Sequence, residues 1–303
     1  MTKIAHFSDL HLKLPSLPFS KALSKRLLGF LSWHWRRRQI HDHGVLPVFL
    51  QDLSTQPIDH MIITGDLINI SLEEEYINAH RWLENTGSPD KISIIPGNHD
   101  CYVPVLWEKS LGLWSRYMTN DYDQNQMAVK SFDDFPYLRI KNNIAIIGVS
   151  SARPMPLSSA AGIIGTNQLT KLAHLLDYLK AKNLFKIILI HHPPFTLKGH
   201  ERKQLQDISA FIETINPYGV HMIVHGHTHR SGLTKINTDQ GYIPVVGVPS
   251  ISSYPVKNKP HARYHIYTII QKSQKWFVDV EVRGYNKVTN LFNQEGRFTL
   301  AIP

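Results

Sequence analysis

An α/β fold with helices layered over sheet is what this sequence predicts, and three observations carry the prediction. Short Ile- and Val-rich runs recur along the chain, each bounded by turn residues, as expected of strands buried on both faces. Segments with apolar residues three and four apart lie between several of these runs, the spacing that gives a helix one apolar face. The last third then turns to strand-like runs without intervening helices, which points to an antiparallel edge or a second sheet beside the alternating part.

Taken in order, buried strands are expected at 4–7, 61–64, 92–95, 144–149, 187–190 and 222–224, with helices at 45–53, 73–83, 168–179 and 205–215. The carboxyl-terminal strands are expected at 243–248, 264–270 and 276–282, within a segment 242–285 assigned to a second sheet. No repeat of solenoid period and no Gly/Ser-rich linker divides the chain, so a single domain over 1–303 is expected.

Composition narrows the class. With 42% hydrophobic and 19% charged residues the chain falls in the globular range and not the disordered one. A strand-like run opens the sequence and leaves no room for a signal peptide, and every apolar stretch ends short of the roughly 20 residues that cross a bilayer. The single cysteine, Cys101, excludes an intramolecular disulfide and fits a reducing compartment, so a cytoplasmic location is the default expectation. A net charge of +9 suits nucleic acid, an anionic membrane surface or a phosphorylated substrate without choosing among them.

The position of the polar residues is more specific. Ile4 to Phe7 runs into Asp9 and His11, Met61 to Thr64 into Gly65 and Asp66, and Ile92 to Ile95 into Gly97, Asn98, His99 and Asp100. Downstream, the run ending at Ile190 meets His191 and His192, and the run ending at Val224 meets His225, Gly226, His227 and His229. Ligands of open α/β sheets bind beyond the carboxyl ends of the strands, so these groups can converge. On an extended backbone residues two apart share a side, which would aim Asp9 with His11, and His227 with His229, into one cavity. Imidazole, carboxylate and amide oxygen together suit Zn, Mn or Fe rather than a thiolate-bound metal.

The blocks Asp9-Leu10-His11, Gly65-Asp66, Gly97-Asn98-His99-Asp100, His191 and Gly226-His227-Thr228-His229 resemble, in order and spacing, the signature of the calcineurin-like metallophosphoesterases. The resemblance implies a four-layer α/β/β/α sandwich of two mixed sheets flanked by helices. It implies two divalent ions, one on Asp9, His11, Asp66 and His229 and the other on Asp66, Asn98, His191 and His227, with Asp66 shared. In-line attack on phosphorus by a hydroxide between the ions is the implied reaction, and His99 would face the scissile ester. Asp100 is read as orienting a neighbouring imidazole. His192 is read as supporting the site, His225 as packing, and Cys101 as a buried packing residue.

The Asn-His-Asp form resembles class III cyclic-nucleotide phosphodiesterases, so phosphodiester or pyrophosphate hydrolysis is expected ahead of monoester hydrolysis. UDP-2,3-diacylglucosamine hydrolases of lipid A synthesis typically carry Arg where His99 stands, and that activity is the named alternative. A catalytically silent scaffold of the same fold is the alternative from another class.

Between His11 and Asp66 lies an insertion, residues 12–42, with a basic aromatic stretch at 21–38 that carries Trp33, Trp35, Arg36, Arg37 and Arg38. Read as a helix, it could pack on the sandwich, cap the substrate site with Arg36 and Arg37 on phosphate, or rest on anionic lipid as a peripheral contact. Nucleic acid ranks third, because no recognition motif accompanies the basic strip. The expected partner is a phosphorylated small molecule or a nucleotide-lipid.

Overall fold

The computed structural model describes residues 1–17, 25–33, 35, 40–42, 44–121, 127–157, 159–256 and 260–303. In chain order its main elements are β1 (Thr2–Phe7), α1 (Lys25–Ser32), α2 (Val45–Ser54), β2 (His60–Ile63), α3 (Glu73–Thr86) and β3 (Ile92–Ile94). A two-stranded ribbon of β4 (Thr119–Asn120) and β5 (Met127–Ala128) follows, then β6 (Tyr137–Lys141), β7 (Ile144–Gly148), α4 (Thr166–Lys180), β8 (Phe185–Leu189), α5 (Ile208–Ile215) and β9 (Met222–His225). The chain closes with β10 (Gly232–Thr238), β11 (Gly241–Gly247), β12 (Arg263–Lys272), β13 (Lys275–Asn286) and β14 (Leu291–Ala301).

Two six-stranded mixed sheets result, ordered β14-β13-β12-β1-β2-β3 and β10-β11-β9-β8-β7-β6. Alternation along the strands sets the layers. Ile144, Ile146, Ile187 and Leu189 pack into the core shared with the first sheet, whereas Ala145, Ile147, Ile188 and Ile190 pack with Leu172 and Leu176 of α4 and Phe211 of α5. On the other outer face Phe7 meets Phe49 of α2 and Trp82 of α3 edge-on, at ring distances of 4.8 and 6.3 Å. The sandwich is therefore four layers, α/β/β/α. Among the described residues, no helix is long and apolar enough to cross a membrane.

Local chemistry explains the helices. In α2, Val45, Leu46, Phe49 and Leu53 form the buried face. Glu73, Glu74 and Glu75 fill the first turn of α3, where carboxylates complement the helix dipole. Glu75 turns back to accept from the backbone N–H groups of Asn69, Ile70 and Leu72.

Two expectations are corrected. The helix expected from 205 starts at Ile208, because Leu205 instead bridges Gly162 in parallel and the N–H of Gln206 donates to Gly162 O. Residues 242–285 do not form one second sheet: β11 lies between β9 and β10, while β12 and β13 extend the sheet that contains β1. The reason is register, since residues Thr2 to His6 pair antiparallel with Ile269 to His265 and offer β12 a complete hydrogen-bonding edge.

The first sheet buries polar histidines. His6 faces His265 across the β1–β12 pair and bonds Tyr267 and Thr64 through its two nitrogens, at 2.9 and 3.0 Å. His60 bonds Ser93 Oγ at 2.8 Å. Burial pulls His60 and His265 down to about 3, with Arg139 adding to the effect on His60 and Arg263 to that on His265. Such residues stay neutral in the native state, while the unfolded chain takes up protons below about pH 6.5. Stability is then complete above that pH and is lost as pH falls toward about 3. Urea midpoints measured from about pH 7.5 down to about pH 4 should decline, and His60→Asn should make the decline shallower; equal slopes for the two proteins would contradict this account.

Candidate metal centre

Five strand ends supply the polar cluster. Beyond β1 and β2 the backbone runs on as paired loops, with the N–H groups of Asp9, His11 and Leu12 donating to the carbonyls of Gly65, Asp66 and Leu67 at 2.9, 3.0 and 2.9 Å. Asp9, His11, Asp66, His227 and His229 all have positive φ, between 43° and 65°. The pairs Asp9/His11 and His227/His229 do converge, but the extended backbone expected for them is corrected: each pair is aimed by left-handed turns. Such turns cost of order 1 kcal/mol per non-glycine residue and persist where surrounding bonds over-determine them.

All seven expected ligand side chains come together. On one flank His229 Nε2 lies 3.0 Å from Asp9 Oδ1 and 3.3 Å from His11 Nε2. On the other, Asn98 Oδ1 lies 3.2 Å from His191 Nε2 and 2.9 Å from His227 Nδ1. Asp66 joins the flanks, because its Oδ2 is 3.9 Å from His11 Nε2 and 3.5 Å from His191 Nε2. A cavity of about 600 Å³ opens over the cluster, lined by Asp66, Asn98, His99, His227 and His229 among others.

Electrostatics match this layout. Burial opposes ionisation of Asp66, yet the imidazoles around it, His191 foremost, hold its carboxyl well below the usual carboxylate range. Burial likewise works against a proton on His191, but Asp66 and Asp9 raise it to about 9. His227 is pulled down to about 3 by burial and by His191. The arrangement fits a divalent pair on its own terms. Asp9 Oδ1 is buried and receives no hydrogen bond, and ring nitrogens from opposite loops point at one another, a contact that a shared cation relieves. Ring nitrogens of His11 and His229 and carboxylate oxygens of Asp9 and Asp66 lie within 4.8 Å of one another.

Other expected residues take definite places. Among the described residues, the Asp100 carboxylate bonds backbone N–H groups and no imidazole, correcting its expected role. Its Oδ2 accepts from the N–H groups of Asp66 and Gly97, and its Oδ1 from those of Leu67 and Ile68. It holds the backbone that presents Asp66. His192 is committed through both nitrogens, to Ser151 Oγ at 2.8 Å and Ala160 O at 3.1 Å, which leaves the ligand position to His191. His225 bonds Gly226 O and packs against Phe195. Cys101 is buried, and burial with the nearby Asp100 raises its thiol well above the ordinary value. Arg36, Arg37 and Arg38 lie outside the described residues.

The insertion leans on the site. Lys25 Nζ donates to Tyr102 O and Met155 O, and Arg26 donates to Ile70 O and Ser71 O. Two basic residues of α1 thus point inward, Lys25 onto the loops after β3 and β7 and Arg26 onto the loop after β2 that carries Asp66. Gly29 permits the approach, since a Cβ there would lie 2.6 Å from Ile70 Cγ2. Tyr102 lies parallel to His99 with ring centroids 5.9 Å apart, and His99 Nδ1 donates to Asn69 O at 2.5 Å. One residue was missed by the sequence reading: buried His41, whose ring centroid is 4.6 Å from that of His11. It follows no apolar run, so the strand-end pattern could not find it.

The sequence matches the family described as calcineurin-like phosphoesterase over residues 2–231. Among solved structures, the fold is similar to a dimetal phosphatase from Danio rerio, at 11% identity and a TM-score of 0.60, covering 100% of this chain and 99% of that one. It is also similar to the anchor protein of the inner membrane complex of Plasmodium, at 10% identity and a TM-score of 0.54, covering 100% of this chain and 89% of that one. No curated protein matches the chain.

Two substitutions probe this geometry. A Cβ on Gly97 would sit 2.2 Å from Asp66 Oδ1 and 2.5 Å from Asp66 N, so Gly97→Ala should displace Asp66 and sharply lower divalent-ion content by elemental analysis while circular dichroism stays native; full metal content would show that Asp66 is not needed. Gly29→Leu should lift α1 from Ile70, read as faster tryptic cleavage after Lys25 and Arg26, and an unchanged rate would mean that the helix is not held there.

Proposed function

Because this chain belongs to the calcineurin-like phosphoesterase family, we propose that it is a dinuclear metal-dependent phosphoesterase that hydrolyses a phosphodiester or pyrophosphate bond. The observation that carries this reading is Asp66, a buried carboxylate with one oxygen 3.9 Å from an imidazole of one flank and 3.5 Å from an imidazole of the other. Asp9, His11, Asp66 and His229 would hold one ion, and Asp66, Asn98, His191 and His227 the other. Bound divalent ions supply a nucleophilic hydroxide near neutral pH and neutralise charge on phosphoryl oxygens; Mn, Fe and Zn all suit these donors.

The chain's own groups do the rest. The bond from His99 Nδ1 to Asn69 O assigns the Nδ1 proton, so Nε2 is the nitrogen that would meet the leaving oxygen, and it would donate to it, as general acid, from the doubly protonated ring. His99 borders the cavity above the metal cluster and also a neighbouring one of about 450 Å³ whose lining, among the described residues, includes Lys25, Arg153, Arg202 and Lys203 against one acid, Glu201. That excess of cations beside His99 suits a leaving group with an anionic charge of its own, which supports pyrophosphate or nucleotide substrates over neutral esters.

A nucleotide-lipid substrate with peripheral membrane contact is the second reading. Leu28 and Trp35 of the insertion remain 52% and 70% exposed, as a lipid-facing surface requires. A silent scaffold is disfavoured by the complete ligand set.

The test is an activity panel of cyclic nucleotides, nucleotide diphosphate lipids, linear diesters and monoesters, run with defined Mn, Fe or Zn loading. Turnover of a diester or pyrophosphate, abolished by chelation and restored by metal, is the expected result. His99→Ala should lower kcat by about 100-fold or more with metal content unchanged. Protein that carries two ions and turns over nothing in the panel would return the scaffold reading to first place.

A further inference from the structure

We propose that His41, delivered by the insertion, is an eighth side chain of the metal centre and ligates the ion assigned to Asp9, His11 and His229. The inference rests on the dinuclear reading above and adds a ligand that the strand-end motifs do not contain.

The placement of His41 is built. The N–H of Asp42 donates to Ser252 O at 2.9 Å, that of Tyr254 to Ile40 O at 2.7 Å, and His41 itself bridges Ser253. The backbone on both sides of His41 is therefore clamped to the loop that follows β11. The ring is buried and sits 4.6 Å from the ring of His11 and 5.7 Å from that of His229. One nitrogen from each of these three rings lies within 4.8 Å of the others, and His41 lines the cavity over the cluster.

Hydrogen bonding supports a ligand role. His41 Nδ1 lies 2.8 Å from Ser252 Oγ and 3.4 Å from Ser250 Oγ, and Ser250 Oγ donates to Asp9 O at 2.6 Å. Metal-bound imidazoles generally commit the second ring nitrogen to an oxygen, which fixes tautomer and orientation. The Ser252 hydroxyl is such a partner for His41, and Ser250 ties the same network to the backbone of Asp9. Three imidazoles packed this closely beside two buried carboxylates form a nest for a cation. Asp9, His11, Asp66 and His229 would supply four protein donors, and a fifth favours ions of higher coordination number, Mn or Fe, over tetrahedral Zn.

The experiment is a titration of metal-free full-length protein with Co²⁺, read by calorimetry and by the visible absorption of the bound ion. Wild-type protein is expected to bind two ions. His41→Ala should weaken one of them by about 100-fold or more, leave the other unchanged, and intensify the visible band as coordination number drops. Ser252→Ala removes only the partner of Nδ1 and should weaken the same ion by about 10-fold. If His41→Ala does not fold, Ser252→Ala decides alone: a selective loss at one ion supports the proposal, and two unchanged affinities overturn it. A folded His41→Ala protein with unchanged affinities and spectrum overturns the ligand role while leaving the dinuclear reading intact, whereas wild-type protein that binds no ion overturns both.

Discussion

Two carboxylates, Asp9 and Asp66, are buried side by side among four imidazoles and an amide, and the rest of the structure answers to that constraint. Burying an uncompensated carboxylate costs several kcal/mol, and two near each other add mutual repulsion. Backbone donors meet part of the cost: Asp9 Oδ2 accepts from His227 N, and Asp66 Oδ1 from His99 N. The remaining oxygens, Asp9 Oδ1 and Asp66 Oδ2, face imidazole nitrogens of His11, His229 and His191. That imbalance makes the cluster a receptor for positive charge.

The site depends on the gap between the sheets as much as on either sheet. Asp9, His11, Asp66 and Asn98 follow strands of the first sheet, whereas His191, His227 and His229 follow strands of the second. Close backbone approach holds the two halves in register. A Cβ on Gly226 would lie 2.5 Å from Asp9 Oδ2 and 2.0 Å from Ser8 Oγ, so the loop after β9 can reach the loop after β1 only because that residue has no side chain. A core that let the sheets slide would pull each flank apart, since His229 of the second sheet sits with Asp9 of the first and Asn98 of the first sits with His191 of the second.

The insertion works at both ends. Its helix α1 places Lys25 and Arg26 on carbonyls of the loops after β2, β3 and β7, and its carboxyl end brings His41 against His11. One segment thereby touches both the loop that carries His99, through Lys25 on Tyr102 O, and the ring of His11, through His41.

Much of this was legible in the sequence. Periodicity located every buried strand that bears a ligand to within two residues, because a strand covered on both faces is mostly apolar, with His6 and His60 as hydrogen-bonded exceptions. It overlooked β10 and β14, edge strands whose residues are mostly exposed, and also the edge strand β6, which is buried at Tyr137, Leu138 and Arg139 but is interrupted by charge at Arg139 and Lys141. The ligands themselves were legible because each follows such a run. Tertiary structure alone decided the rest. That β12 pairs with β1 depends on an edge some 260 residues away; that Asp100 serves backbone N–H groups is invisible, since backbone donors have no letter in a sequence; and His41 becomes a neighbour of His11 only when Ser252 and Ser253 clamp it there. A sequence records which groups a chain owns and how they are spaced along it, but distance through space between loops is set by how the sheets pack.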